Sequence, residues 1–455
     1  MPNPESVAAA LQPHITGRVI LPADSTYDAA RRVHNGLIDR RPAMIVRCQG
    51  TADVQAALRA AREHGLEISV RGGGHNVAGN AVCEGGVVID LSDMRAVQVD
   101  PVARRARAQG GTTWGGYNRE TQLFGQATTG GVVSTTGIGG LTLGGGLGWL
   151  MGKHGLAVDN LRSANFVNAA GDALHVSDDE HPDLFWAIRG GGGNFGAATW
   201  LEYETYPVGP IVTGGLVAHP FSAAKDVLRF YRDITAALPD DFTIFAGLIH
   251  APDGSGAKLA AIMVCHIGDL ETGARAVAPI KQFGSPVMDV IGQVPYSVVN
   301  TLFDAGFPPH ALNYWKANFL STLSDDAIDT MIARFAECPS PMTGMLLEHF
   351  HGAATRVAPT ATAFPHRATG FNLLVAGEWM SPADTDANIA WTRDTYAALS
   401  AHFASGRYGN YLSADEVGDA SAVAAAFGPN AARLREVKRR YDPDNVFHHN
   451  QNIKP

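Results

Sequence analysis

Residues 71–79 read Arg71-Gly72-Gly73-Gly74-His75-Asn76-Val77-Ala78-Gly79, directly after a short apolar run at 66–70 (LEISV). The run has the composition of a β-strand, so the glycines form the turn that leaves it. Three consecutive glycines permit positive φ and leave backbone N–H groups uncovered, which suits a turn that cradles an anion such as a pyrophosphate. His75 closes the turn and offers its imidazole to whatever the turn holds.

Three further segments extend the pattern. Residues 137–148 (GIGGLTLGGGLG) precede Lys153-His154-Gly155-Leu156 and Val158-Asp159-Asn160. Residues 183–196 read DLFWAIRGGGGNFG, and the chain closes on YDPDN (441–445) and FHHNQNI (447–453). Residues 191–196 (GGGNFG) match GxGxxG, but a dinucleotide fingerprint must open a helix. The following AATWLEYETYPV alternates like a strand, which argues against a nicotinamide site.

The chain has 455 residues, long for a single core, and two domains are expected. A net charge of −9 provides no basic excess for phosphates, so no nucleic-acid partner is expected. The charge-free stretch 121–152 has the length of a membrane span, but its glycines and threonines fit a buried cofactor loop better, and no membrane partner is expected. Residues 1–17 show neither the basic nor the apolar region of a signal peptide. Four scattered cysteines, Cys48, Cys83, Cys265 and Cys338, fit a reduced, cytoplasmic protein and have no metal-ligand spacing.

Periodicity predicts a helix over 52–64 with Thr51 as N-cap, strands at 66–70, 86–91 and 96–99, and a helix near 113–124. Beyond residue 210, strand-like segments (TIFAGLIH, KLAAIMVCHI, MLLEHFHG, GFNLLVAGEW) alternate with helix-like ones at 223–237, 271–283, 325–337 and 384–404. This is an α+β pattern, its second part an antiparallel sheet covered by helices.

In order and spacing these segments resemble flavoproteins of the vanillyl-alcohol oxidase and p-cresol methylhydroxylase superfamily. Within it they look most like the berberine-bridge-enzyme-like group, the bacterial nicotine oxidases included. The resemblance covers nearly the whole chain. It implies a two-domain PCMH-type fold: a discontinuous FAD-binding domain (1–208 and a returning segment, 411–455) and a substrate domain (209–410). It implies cofactor contacts from Arg71, Gly72, Gly73, Gly74, His75, Asn76 and Gly79. It implies others from Thr136, Gly137, Gly139, Gly140, Thr142, Leu143, Gly145, Gly146, Gly148 and Leu150, and from Asp159, Asn160, Gly196, Asn450 and Asn452. His75 stands at the position that carries FAD through an 8α-histidyl bond. Many relatives add a second bond from a cysteine, in a stretch matching Gly131-Val132-Val133-Ser134-Thr135-Thr136-Gly137; here Val133 takes that place. Attachment through His75 alone is therefore expected.

The implied activity is oxidation of a small organic molecule at a C–H bond beside an alcohol or amine, with dioxygen as electron acceptor. The alternatives are a dehydrogenase with another acceptor, or a flavin-binding protein without turnover. Relatives place a glutamate or lysine base downstream of a Phe-Pro-His-Arg motif. That motif is intact at 364–367, but the downstream position is Leu373. Strand alternation offers a replacement, because Leu347, His349 and His351 share one face and Glu348 and Phe350 the other. His349 or His351 is expected to face the substrate, with Tyr411, in Tyr408-Gly409-Asn410-Tyr411, opposite.

Overall fold

The computed structural model describes residues 3–455. The apolar runs around the glycine turn build a four-stranded sheet in the order Arg18–Ile20, Met44–Arg47, Val87–Asp90, Ile68–Arg71. Its last two pairings are parallel and need a crossover, part of which the helix Thr51–Glu63 supplies. Val54, Ala57, Leu58 and Ala61 recur at helical spacing and are buried with the sheet's Met44, Val46, Val87 and Ile89. The N-cap falls one residue earlier than expected, on Gly50, so Thr51 is already helical. Asp53, buried in the first turn, accepts hydrogen bonds from the amides of Thr16, Gly17 and Gln49, which satisfies its carboxylate.

A second, antiparallel sheet runs in the order Val97–Asp100, Arg105–Gln109, Gly196–Glu204, Leu161–Asn168, Ala173–Ser177. Residues 191–196 lead straight into the strand Gly196–Glu204, as the alternation there requires. The stretch 121–152 is broken into short pieces, among them the strand Gln126–Ala127 and the helix Ile138–Leu143, and among the described residues no helix is long and apolar enough to cross a membrane.

The third large sheet is antiparallel and is built from residues 211–379. Its order is Met288–Asp289, Ile211–Pro220, Lys258–His266, Phe242–His250, Gly344–Phe350, Gly370–Trp379, Leu312–Leu320, with Gly292–Pro295 also paired to Ile211–Pro220. The helices Ala224–Thr235, Leu270–Gln282, Asp325–Ala336 and Thr385–Leu399 cover one face, packing on Ile244, Ala246, Leu347, Leu373 and Val375. The other face turns toward the first two sheets, where Phe245, Trp315, Leu346 and Leu374 share a core with Trp149, Leu150, Met151 and Leu156. A sheet buried on both faces explains why its strands read as nearly unbroken apolar runs.

After Tyr411 the chain returns to the first half. Leu434, Val437 and Tyr441 of the helix Ala431–Tyr441 pack with Leu184, Phe185 and Ile188. Lys438 locks this return: its buried ammonium donates to the carbonyl of Asn194 (2.6 Å), to Asp442 (2.6 Å) and to the carbonyl of Phe447 (2.9 Å). Asp442 in turn accepts from the amides of Val446 and Phe447. Lys438→Met leaves Asp442 buried without its cation, and a loss of about 3–5 kcal/mol is expected in denaturant unfolding.

Candidate active site

Between the halves lies a cleft with about 1640 Å³ of space free of protein atoms, part of it open to solvent. Glycine loops of the first half, aromatic side chains of the large sheet and residues of the C-terminal segment line it together. Its floor is glycine. A Cβ on Gly73 would stand 2.3 Å from the Gly137 nitrogen, and one on Gly137 2.3 Å from the Gly73 nitrogen, so the two loops meet backbone to backbone. At Gly140 and Gly193 a Cβ meets nothing within 4 Å, because it would enter the cleft. His34 Nε2, Asn80 Nδ2 and Asn450 Oδ1 are buried without protein partners on residues lining this space. No lysine or arginine lines it. A diphosphate here would be met by backbone N–H groups and neutral side chains. The glycine floor and the unpaired polar atoms fit FAD.

His75 lies at the end of the glycine turn, where Gly74 takes φ +70°. Its Nε2 is 2.7 Å from Thr135 Oγ1, its Nδ1 is 3.4 Å from Thr136 Oγ1, and its ring stacks on His34 at 3.9 Å. Burial, and then the neighbouring His34, push its pKa down to about 3. Burial, and then His310, bring His34 down to about 4. Both imidazoles are neutral near pH 7, which keeps a ring nitrogen of His75 nucleophilic.

Of the residues implied by the resemblance, Gly72, Gly73, Gly74, His75, Asn76, Thr136, Gly137, Gly140 and Asn450 line the cleft. The others do not, and several have evident work behind it. Arg71 donates to the carbonyl of Ala30, and Thr142 shares a 2.8 Å hydrogen bond with Tyr203. Leu143 accepts at its carbonyl from Gly190 and Gly192, which holds the second glycine loop. The Gly146 amide donates to the Tyr408 hydroxyl, Gly148 packs on the carbonyl of Gly130, and Gly145 lies against Phe364. Gly79 sits beside Ile38, Gly139 near the carbonyl of Gly110, Leu150 in the core between the halves, and Gly196 opens a strand beside Val167. Asn160 ties the carbonyls of His154 and Leu156, and Asn452 keeps a buried, unpartnered Oδ1. Asp159 is occupied by Arg367, 208 residues away, through two 2.8 Å hydrogen bonds. His34, Asn80, Gly192, Gly193, Tyr408, Asn410, His449 and Gln451 also line the cleft. Most of these belong to the glycine and Asn-rich segments quoted from the sequence, but His34 carried no local signal.

On the substrate side the alternation holds but the face is inverted. Leu346 and Glu348 line the cleft, while Met345 and Leu347 point into the helix-covered core. His349 packs on Phe371, and His351, beyond the strand end, stacks on His349 at 4.9 Å beside Gly152. Neither histidine lines the cleft, contrary to the expectation. A period of two says which residues share a face. With both faces buried, polarity does not say which face meets the cofactor.

Glu348 stands between Phe245 and Asn372 in the sheet register. Its carboxylate accepts from Asn372 Nδ2 (2.6 Å) and from the Tyr411 hydroxyl (3.0 Å). Burial pushes its pKa up to about 7, against these two hydrogen bonds, which lower it. Tyr411 lines the cleft as expected, and burial holds its phenol well above the ordinary value, so it stays a donor. Leu373, read from the sequence as the position of the relatives' base, packs under the helices instead, and the carboxylate that reaches the cleft is Glu348 of the adjacent strand. Val133 also lines the cleft, and none of the four cysteines does.

Comparison with known proteins agrees with this geometry. The FAD binding domain family matches residues 42–177, and the family described as berberine and berberine like matches 407–454. The (R)-6-hydroxynicotine oxidase of Paenarthrobacter nicotinovorans is 34% identical over 97% of both chains. The crystal structure of 6-hydroxy-D-nicotine oxidase from Arthrobacter nicotinovorans superposes with a TM-score of 0.88 at 32% identity, covering 97% of this chain and 98% of that one. A chitooligosaccharide oxidase shares the fold, with a TM-score of 0.82 at 24% identity over 100% of this chain and 99% of that one. Fold and cleft define an FAD-linked oxidoreductase. Within that class, the chain belongs to the berberine-bridge-enzyme-like family.

Because Gly140 and Gly193 face open space, Gly140→Leu and Gly193→Leu should fold with thermal midpoints close to wild type while obstructing the cofactor. Flavin-to-protein absorbance of the purified variants is expected to fall severalfold.

Proposed function

We propose that the protein is a flavin oxidase that carries FAD on His75 alone and uses Glu348 to take a proton from a small alcohol or amine as its neighbouring C–H bond is oxidised. The observation that carries this reading is Glu348, a buried carboxyl at the cleft wall, held by Tyr411 and raised in pKa into the physiological range. Bound FAD supplies the hydride acceptor and passes the electrons to dioxygen, giving hydrogen peroxide.

The chain's own residues prepare that step. His75 is neutral, set between two threonine hydroxyls at the end of the turn, and so disposed to bond a flavin edge. Val133 offers no thiolate for a second bond. Tyr411 and Asn372 aim the Glu348 carboxylate, and Phe245, Trp315 and Leu346 keep water from it. A base with a pKa near the working pH balances availability against basicity. The division into 1–208, 209–410 and 411–455 is part of the same reading, supported by the separate cores on either side of the cleft. Four free thiols support a reducing, cytoplasmic setting.

The purified protein should stay yellow after acid precipitation, and His75→Ala should release the flavin. Peptide mapping should find flavin only on the fragment containing His75. A flavin-bearing cysteine peptide would refute single attachment.

In anaerobic mixing the rate of flavin bleaching should rise with pH through about 7 and then level, because the carboxylate form accepts the proton. Glu348→Gln should slow bleaching by roughly 10²-fold or more and abolish that rise. His349→Ala and His351→Ala should retain it. Fast recovery of colour in air is the outcome that separates an oxidase from a dehydrogenase.

A further inference from the structure

Residues 34–36 are packed between the glycine turn and the start of the strand Leu312–Leu320. The His34 amide donates to the carbonyl of Gly74 (3.0 Å), and the His34 ring stacks on His75 at 3.9 Å. On the other side, the carbonyl of His34 accepts from the His310 amide and the Gly36 amide donates to the carbonyl of Ala311, both at 2.8 Å. A Cβ on Gly36 would stand 2.3 Å from the His310 carbonyl oxygen, so the two backbones touch.

Asn35 is 2% exposed, and both hydrogens and both lone pairs of its carboxamide are engaged. Its Nδ2 donates to the carbonyl of Val77, just past His75 in the turn (2.7 Å), and to the carbonyl of Asn313 (2.9 Å). Its Oδ1 accepts from the amides of Asn313 (2.9 Å) and Leu37 (3.0 Å). Leu312–Leu320 is an edge strand of the large sheet, with backbone groups that need partners on the outer side. At Asn313 the Asn35 side chain supplies them, as a neighbouring strand would. The Asn313 side chain continues the line. Its Nδ2 donates to the carbonyl of Ala311 (2.8 Å), and its Oδ1 accepts from the Trp315 indole N–H (3.0 Å). Trp315 lines the cleft and meets Tyr411, the donor to Glu348, edge to face at 5.9 Å. An unbroken series of contacts therefore runs from the glycine turn through Asn35, Asn313 and Trp315 to the pair Tyr411 and Glu348.

We propose that Asn35 is a positioning residue for the oxidation described above: it holds the cleft wall of Trp315 and Tyr411 in register with the turn that carries His75. The inference rests on that reading for the chemistry served, while the contacts themselves need no substrate. Aspartate cannot take the place, because it supplies at most one donor where two carbonyls each need one. Without the Asn35 carboxamide the Asn313 backbone is freed at the sheet edge, and with it the acceptor that fixes the Trp315 indole.

The test uses the flavin-loaded full chain with isotope-labelled indole nitrogens. The chain has seven tryptophans, and Trp315→Phe identifies the resonance of Trp315. In the wild type its N–H should exchange with deuterium roughly fivefold or more slowly than that of the half-exposed Trp200, as one net hydrogen bond implies. Asn35→Asp should shift the Trp315 resonance, speed its exchange and alter the visible circular dichroism of the flavin, with the other indoles left in place. Asn313→Ala should move the same resonance, and combining the two should move it no further than Asn313→Ala alone. Asn430→Asp controls for general loosening, because Asn430 is comparably buried and donates to the carbonyls of Pro359, Thr362 and Ala363. It should lower the melting midpoint without moving Trp315 or the flavin spectrum. If Asn35→Asp does not fold, Asn35→Ala, which buries no charge, carries the same expectation. A Trp315 N–H that exchanges as fast as that of Trp200, an unmoved Trp315 resonance in the Asn35 variant, an unchanged flavin spectrum, or equal movement in Asn430→Asp overturns the proposal. None of these readouts needs turnover or covalent attachment, so a flavin that no substrate bleaches refutes the oxidase reading and leaves the Asn35 result to be judged by itself.

Discussion

The backbone of Gly73 lies against that of Gly137 so closely that neither position has room for a Cβ. This contact brings together the turn that ends the parallel strand Ile68–Arg71 and the loop that enters the helix Ile138–Leu143. Both sides of the cleft depend on it. It sets Thr135 and Thr136 beside His75, and it turns Gly72, Gly74 and Gly140 toward the space a cofactor would take. A side chain at either contact would push the loops apart, and the glycine-rich composition of both segments follows from that requirement rather than from flexibility.

The second constraint is the large sheet, which is buried on both faces. Helices press on one side and the cofactor half on the other, so the sheet can carry a carboxylate at its centre without exposing it to water. That burial raises the pKa of Glu348, and the hydrogen bonds from Tyr411 and Asn372 keep the group oriented while it remains able to exchange a proton. The two halves are also tied across the cleft by Arg367, whose guanidinium spans to Asp159, and by Asp304, whose carboxylate takes the amide and hydroxyl of Ser134. The geometry between His75 and Glu348 therefore rests on paired polar groups at the cleft margins as well as on the apolar core between the halves.

The C-terminal segment shows how a distant part of the chain completes a local site. Its last residues line the cleft beside strand Ile68–Arg71, held there by Lys438 and by His449, which contacts Arg40 and Glu67. The returning helix packs on the second sheet, so the tail is delivered to the cleft by tertiary packing rather than by any preference of its own.

The sequence alone determined the glycine turn and the histidine that closes it, most of the strands and helices it marked to within a residue or two, and the alternation within the strand Gly344–Phe350, while the helix expected over 384–404 stops at Leu399 and the strand Leu312–Leu320 went unmarked. These are local matters: positive φ, helical spacing and a period of two are written in neighbouring residues. It also carried the ordered motifs that resemble the berberine-bridge-like flavoproteins, and the valine where a second tether would stand. Only the tertiary structure decided that Glu348, and not His349 or His351, faces the cleft, because alternation is symmetric and both sides of the strand are buried. Only it revealed His34 stacked on His75, and Arg367 as the partner that holds the Asp159 carboxylate. Those pairings join residues 41 and 208 positions apart, and no local pattern encodes which distant side chain will arrive.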